Sequence, residues 1–335
     1  MSLFGTRRKA EAGALPVEGR LPGFEAATGW LNSTPLRETD VHGKVVLADF
    51  WTYTCINWLR TLGYLRAWAE KYEEHGLVVV GIHTPEFPFE HDLDNVREAV
   101  RDLRVEYPVA LDNDYAVWDA FRNRYWPAVY IADAQGRIRH HQFGEGGYEE
   151  CEWIVQQLLR EAGGDGIGDD LVSVVGTGFE VQADWTDLES PETYLGYRQA
   201  EHFASPGGAE VDEPSTYVLP ETLELNRWAL AGNWTIASRA AVSNETGGRI
   251  AFRFHARDVN LVLAPGPQQT VPIRVLVDGE PPGDAHGLDV DEEGRGTLAR
   301  PRVYQLIRER GSVTDRTFEI TFLAPGAEAY VFTFG

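Results

Sequence analysis

Apolar residues in this chain fall first in short unbroken runs and later in strict alternation, and the change divides it. Val45–Phe50 and Leu77–His83 are continuous apolar stretches bounded by polar residues. They read as strands buried on both faces. Between them, 59–75 repeats its apolar positions at helical spacing. Asn95–Leu103 reads as a second helix, opened by the acidic cap region Asp92/Asp94. Val109–Leu111 is a short strand and Tyr115–Phe121 a short helix. Ala128–Ala132 and Ile138–Phe143 are strands joined by Asp133-Ala134-Gln135-Gly136, a hairpin turn. Tyr148–Ala162 closes the series as an amphipathic helix. Strands alternating with helices predict an α/β domain over residues 21–163, behind a loose lead-in at 1–20.

Beyond Gly163 the pattern changes. Gly163-Gly164-Asp165-Gly166-Ile167-Gly168 is a linker by composition, taken here as 164–184. Pro191–Gly196 starts a strand-like segment. From about Tyr217 short strands recur, separated by Gly, Pro, Asn and Asp: Trp228–Leu230, Trp234–Ser238, Ala240–Ser243, Arg249–Ala256, Asp258–Leu263, Ile273–Val277, Arg302–Arg308, Thr317–Leu323 and Ala329–Phe334. Ile250, Phe252 and Phe254 face one way, and Ala251, Arg253 and His255 the other. Residues 185–335 therefore read as an all-β sandwich of jelly-roll type. No internal repeat is visible.

The formal charge of −22 argues against nucleic acid and anionic membranes as partners. Two cysteines, Cys55 and Cys151, exclude a disulfide-stapled scaffold and any Cys-rich metal centre. Arg7, Arg8 and Lys9 imitate the start of a secretion signal, but no apolar run comes after them and Glu11, Glu18 and Glu25 add charge instead. No run approaches the roughly 20 apolar residues of a membrane span. These features predict a cytoplasmic protein with no metal and no cofactor.

The chemistry centres on Asp49-Phe50-Trp51-Thr52-Tyr53-Thr54-Cys55-Ile56-Asn57-Trp58. A buried strand, a short loop and a cysteine at a helix start place a thiol against backbone N–H groups, which lowers a cysteine's pKa. Asp49, six residues earlier, is expected to be buried beneath that helix as a proton acceptor. Trp51, Trp58 and Trp126 are aromatic residues expected to flank a substrate groove, and Trp126-Pro127 immediately precedes a strand.

Strand, cysteine, helix and a late Trp-Pro are together the arrangement of a thioredoxin fold. The strings DFWTYTCINWLRTLGYLRAW and YPVALDNDYAVWDAFRNRYWPAVYIADAQGRIRHHQFGEGGYEE, with the ending AYVFTFG, resemble DipZ-type thioredoxin-like proteins of the TlpA/AhpC-TSA branch. The resemblance runs from about Leu21 to the end. It implies an α/β thioredoxin-like domain and a β-sandwich resembling a carbohydrate-binding module. It also implies thiol–disulfide oxidoreductase activity on protein or peptide thiols and disulfides. The family's nucleophile falls on Cys55, its cis-proline on Pro127 and its buried carboxylate on Asp49. Its resolving cysteine falls on Trp58, so this chain has C-x-x-W where the family has C-x-x-C.

That departure sets the alternatives. A dithiol reductase attacks with one thiolate and releases its target with the second. Here Cys55 needs an external thiol, or Cys151 as a distant resolver. A second class is a redox-inactive thioredoxin-fold binding protein using a Trp126-Pro127 groove. A third is a one-Cys peroxidase, suggested by Thr52-x-x-Cys55, although Ala48 and Pro127 stand where that family has proline and arginine. His83 and Glu86 end the strand Leu77–His83 near the expected cleft, where they either tune Cys55 or, as the favoured reading, are solvated loop residues. Trp228, Trp234, Tyr304 and Tyr330 of the sandwich either pack its core or stack on a sugar. The expected partners of that domain are a carbohydrate, a peptide or a second copy of the chain.

Overall fold

The structure, a computed structural model, describes residues 15–335. The basic group Arg7–Lys9 and the rest of 1–14 lie outside the described residues. The chain gathers into two compact units, and the partition takes more than one cut. One unit holds the residues up to Thr52, with Thr61–Pro85 and Val100–Val174. The other holds Tyr53–Arg60, Glu86–Ala99 and Val175–Gly335. Two short pieces from within the 21–163 range, one of them bearing Cys55, thus group with the C-terminal residues.

The first unit is built on a seven-stranded sheet. Its strands are β1 (Gly19–Arg20), β2 (Gly29–Leu31), β3 (Val45–Trp51), β4 (Leu77–His83), β5 (Val109–Leu111), β6 (Ala128–Ala132) and β7 (Arg137–Phe143), in the order β1-β7-β6-β3-β4-β5-β2. Strand β3 lies in the middle, parallel to β4 and antiparallel to β6, and all seven of its residues are buried. Its unbroken apolar run follows from that position, because neither face meets water. Phe24, Phe50, Val80, Ile82, Phe121 and Tyr130 belong to the core cluster here. Helix α1 (Glu38–Val41) precedes β3, and helix α2 (Ile56–Tyr72) follows it. Helix α3 (Leu93–Asp102) begins where Asp92 Oδ1 accepts the N–H of Asp94 at 2.8 Å and of Asn95 at 3.3 Å, the cap expected from the sequence. Helix α4 (Ala116–Ala120) and helix α5 (Tyr148–Glu161) complete the unit.

The lead-in is not loose over its described part. Gly19 and Arg20 pair with Ile138 and Arg137, and the buried Arg139 guanidinium donates to the carbonyls of Leu15 and Pro16. These are long-range contacts with no local sequence signal.

The second unit carries β8 (Thr193–Tyr194), β9 (Pro214–Tyr217), β10 (Trp228–Ile236), β11 (Ala241–Ser243), β12 (Gly248–Phe254), β13 (Asp258–Ala264), β14 (Val271–Val277), β15 (Arg295–Leu298), β16 (Arg302–Arg308), β17 (Arg316–Phe322) and β18 (Glu328–Phe334). The two runs Trp228–Leu230 and Trp234–Ser238 are one strand, β10. Its first half pairs with β12 and its second with β9 and β11. The change falls at Gly232, whose φ of +94° is open to glycine and strained for other residues. One strand therefore serves both layers, and the all-β sheet curls over a single core. Ile250, Phe252 and Phe254 lie fully inside that core, as their alternation predicts.

Candidate active site

Cys55 immediately precedes α2. Its carbonyl accepts the Leu59 N–H at 3.0 Å, and its sulfur faces the backbone N–H groups of Trp58 and Asn57. Apolar Ile56, Trp58 and Leu59 bury the first turn and fix this orientation. Cys55 as a residue is half-buried. The expected low pKa is not what results. Burial pushes the Cys55 thiol well above the ordinary cysteine value; the Trp58 N–H works against this, and the charges of Glu192 and Glu86 reinforce it. Helix-end donors alone do not decide a thiol's ionisation when carboxylates stand beside it.

Those carboxylates are held in a compact network. Thr54, next to Cys55, donates its hydroxyl to Glu90 Oε1 at 2.6 Å. The other oxygen of Glu90 accepts the N–H groups of Glu86 at 2.6 Å and Phe87 at 2.8 Å. Glu90 is fully buried, so these bonds fix the start of segment 86–99 beside the cysteine loop. Tyr194 of β8 donates to Glu86 Oε1 at 2.5 Å and also reaches Glu192 at 3.3 Å. Arg239, in the turn between β10 and β11, donates to the Glu86 backbone carbonyl. Burial and the neighbouring Glu90 push the Glu86 carboxyl up to about 8. Phe87 and Phe89 pack on Tyr330 of β18, with ring centroids 4.9 and 5.0 Å apart. Arg60, one turn beyond Cys55, donates to the Phe334 carbonyl at 3.1 Å, and Gln182 donates to the Arg60 carbonyl at 3.2 Å.

The remaining expected site residues lie in the first unit. Asp49 is fully buried on β3, as anticipated, in register with Gly81. Burial first, and the Asp49 charge second, push the Tyr107 phenol up. Gly81 is required there, because a Cβ would meet the Trp51 indole at 2.8 Å and Tyr107 at 3.0 Å. The Trp126–Pro127 bond is cis, and Trp126 donates to the Thr84 carbonyl at 3.1 Å.

Two groove assignments need correction. Trp51 is fully buried, its ring 4.8 Å from that of His83 in an edge contact, and Trp58 is fully buried in the second unit. Neither indole lines an open groove; Trp126, half-buried, remains available. Burial of both indoles fits their apolar mass, which the sequence could not distinguish from a groove wall. Cys151 is also unlike a resolving thiol. It is buried on α5 with its sulfur 3.7 Å from His140 Nε2, and burial pushes it up to about 12. Both cysteines are free thiols.

His83 is fully buried and Glu86 half-buried, so neither is the solvated residue expected. Glu90, Glu192, Tyr194 and Arg239 were not anticipated. The only local signal was the position of Glu86 just past the end of β4. Trp228, Trp234, Tyr304 and Tyr330 are all buried. The indoles of Trp228 and Trp234 donate to the Glu201 and Ala231 carbonyls, and Tyr304 donates to the Arg300 carbonyl. With polar tips satisfied inside, they are core residues rather than a sugar platform.

The sheet order of the first unit, the cysteine at the start of α2 and the proline before β6 define a thioredoxin-fold protein with a single cysteine at the usual nucleophile position. The AhpC/TSA family model matches residues 17–141, and the thioredoxin like C-terminal domain matches 190–335. Thiol-disulfide oxidoreductase YkuV of Bacillus subtilis is 30% identical over 141 residues, 42% of this chain and 95% of that protein. Protein DipZ of Mycobacterium bovis is 38% identical over 276 residues, 80% of this chain. The chain spans 38% of the length of that relative. The chain belongs to the thioredoxin-like thiol–disulfide oxidoreductase family.

Proposed function

We propose that this protein performs thiol–disulfide exchange on protein or peptide disulfides through Cys55 alone, with an external low-molecular-weight thiol as resolver. The observation that carries the reading is a half-buried cysteine whose sulfur faces two backbone N–H groups at the start of α2. Cys55 loses its proton and attacks one sulfur of the target. A new S–S bond forms, the old one breaks, and its electron pair leaves on the departing thiolate, which takes up a proton. Trp58 supplies no second thiol, so a small thiol must attack the mixed disulfide to regenerate Cys55.

The raised Cys55 thiol favours a second reading, a redox-silent protein that binds peptides beside Trp126 and Pro127. Alkylation of Cys55 between pH 6 and 10, in a Cys151→Ser background, separates the two. Reaction rising with pH, together with mixed-disulfide formation detected by mass, supports exchange. A folded protein whose Cys55 reacts at no pH is redox-silent.

A further inference from the structure

The geometry points to Glu86 and Glu192 as specificity-determining residues of the Cys55 site, selecting disulfides that carry a positive charge next to the sulfur. This rests on Cys55 acting as the nucleophile. Thiol, phenol and carboxyls form one cluster: Glu86, Glu192 and Tyr194 each interact electrostatically with Cys55, and Tyr194 is hydrogen-bonded to both carboxyls. The groups facing Glu86 are Glu90 from its own segment, Tyr194 and Glu192 around β8, and Arg239 from the β10–β11 turn. Arg239 spends a guanidinium N–H on the Glu86 backbone carbonyl, not on its carboxylate. Glu86 and Glu192 thus place carboxyls beside a sulfur that must become negative to react.

A disulfide substrate bearing a cation resolves that conflict. Its charge sits among the carboxyls while its sulfur meets Cys55, offsetting their repulsion of the thiolate. An anionic substrate adds to the repulsion. Electrostatic preferences of this kind change association rates by roughly tenfold or more and fade as salt is raised. Glu86 also makes the preference depend on pH. Its carboxyl ionises near pH 8, so the negative collar gains a charge as pH rises through that value. Glu192 is more exposed as a residue; burial raises its carboxyl too, and the Tyr194 hydrogen bond works against that.

The test compares three symmetrical disulfides of fixed charge: a bis-quaternary-ammonium disulfide, 2-hydroxyethyl disulfide and 3,3′-dithiodipropionate. Second-order rate constants with Cys55 are measured from pH 6 to 9 in the Cys151→Ser protein. The ratio of cationic to anionic rates cancels the thiolate fraction, because both substrates meet the same thiolate. The ratio should exceed about tenfold at pH 9, shrink as pH falls through 8, and collapse in 1 M salt. Glu86→Gln should reduce the pH dependence, and Glu192→Gln should lower the ratio at pH 9. Thermal unfolding checks that each variant is folded, and the wild-type salt and pH dependence stand without either variant. A ratio near one, or one that ignores both pH and salt, overturns the assignment while leaving Cys55 a nucleophile. No reaction with any of the three overturns the exchange reading itself.

Discussion

Glu152 in the first unit and Glu86 in the second meet opposite surroundings. In the first unit Glu152 of α5 accepts from the Trp68 indole at 3.1 Å, the Tyr72 hydroxyl at 2.6 Å, the Lys71 ammonium at 3.2 Å and the Val172 N–H at 3.0 Å. Asp133 faces Arg137 and Arg139, and although burial pushes its carboxyl up, the donors from those residues bring it below the usual range. Each charge there meets donors that satisfy it. In the second unit Glu86 meets one phenol and two further carboxyls, and it stays protonated up to about pH 8. A satisfied carboxylate holds a fold together, whereas an unsatisfied one beside a nucleophile is a device for tuning it.

The sharpest way to break this contrast is Asp133→Ala. Arg139 is only 5% exposed and would keep just one carboxylate, Glu161 at 3.4 Å, a loss of about 3 kcal/mol in denaturant unfolding. A loss under about 1 kcal/mol would mean the pair is not structural. Asp133 has a lowered carboxyl, so its contribution is present above pH ~4 and disappears as the solution becomes more acid than that.

Trp58→Cys comes next. Emptying a fully buried indole site should cost about 3 kcal/mol in the reduced protein. It should also restore a two-thiol cycle with Cys55, seen as at least tenfold faster turnover of a protein disulfide with dithiothreitol. Unchanged turnover in a folded variant would show that the missing resolver is not the limit.

Glu86→Gln sharpens the contrast through pH. A carboxyl raised in the folded state favours the fold most below its unfolded value and loses that contribution as pH climbs through about 8. Wild-type stability should therefore fall between about pH 4.5 and 8 by roughly 2 kcal/mol from this group, its partial exposure considered, and the variant should lack that slope. Parallel stability curves would place the Glu86 ionisation elsewhere. The smallest effect is Thr54→Val. Removing the hydroxyl donated to Glu90 should cost about 1–1.5 kcal/mol, because two backbone N–H groups still hold its other oxygen.

Much of this was legible from local pattern. Strands β4, β5 and β6 fall where their apolar runs lie, and Asp92 caps α3 as its type suggests. The position of Cys55 follows from a strand and a helix that adjoin it in sequence. What escaped was either very short or very distant. β9 and β15, with four residues each, carry too little pattern to announce themselves. Tyr194 and Glu86 meet across 108 residues of chain, and no spacing rule connects them. The direction of the Cys55 pKa escaped for the same reason, since the helix end is local, whereas the burial that chiefly opposes it and the carboxyls that add to it are not. Aromatic residues misled in another way, because Trp51 and Trp58 have the composition of a binding groove and the burial of a core.

The hydrogen bond from Arg60 to the Phe334 carbonyl spans 274 residues of chain and ties the turn after Cys55 to the last strand. During synthesis the thiol is therefore made long before the strand that completes its surroundings. Until β18 emerges, Cys55 has its helix but lacks Tyr194 on an assembled β8–β18 pair, so the cysteine of the nascent chain is chemically a different group from that of the finished protein.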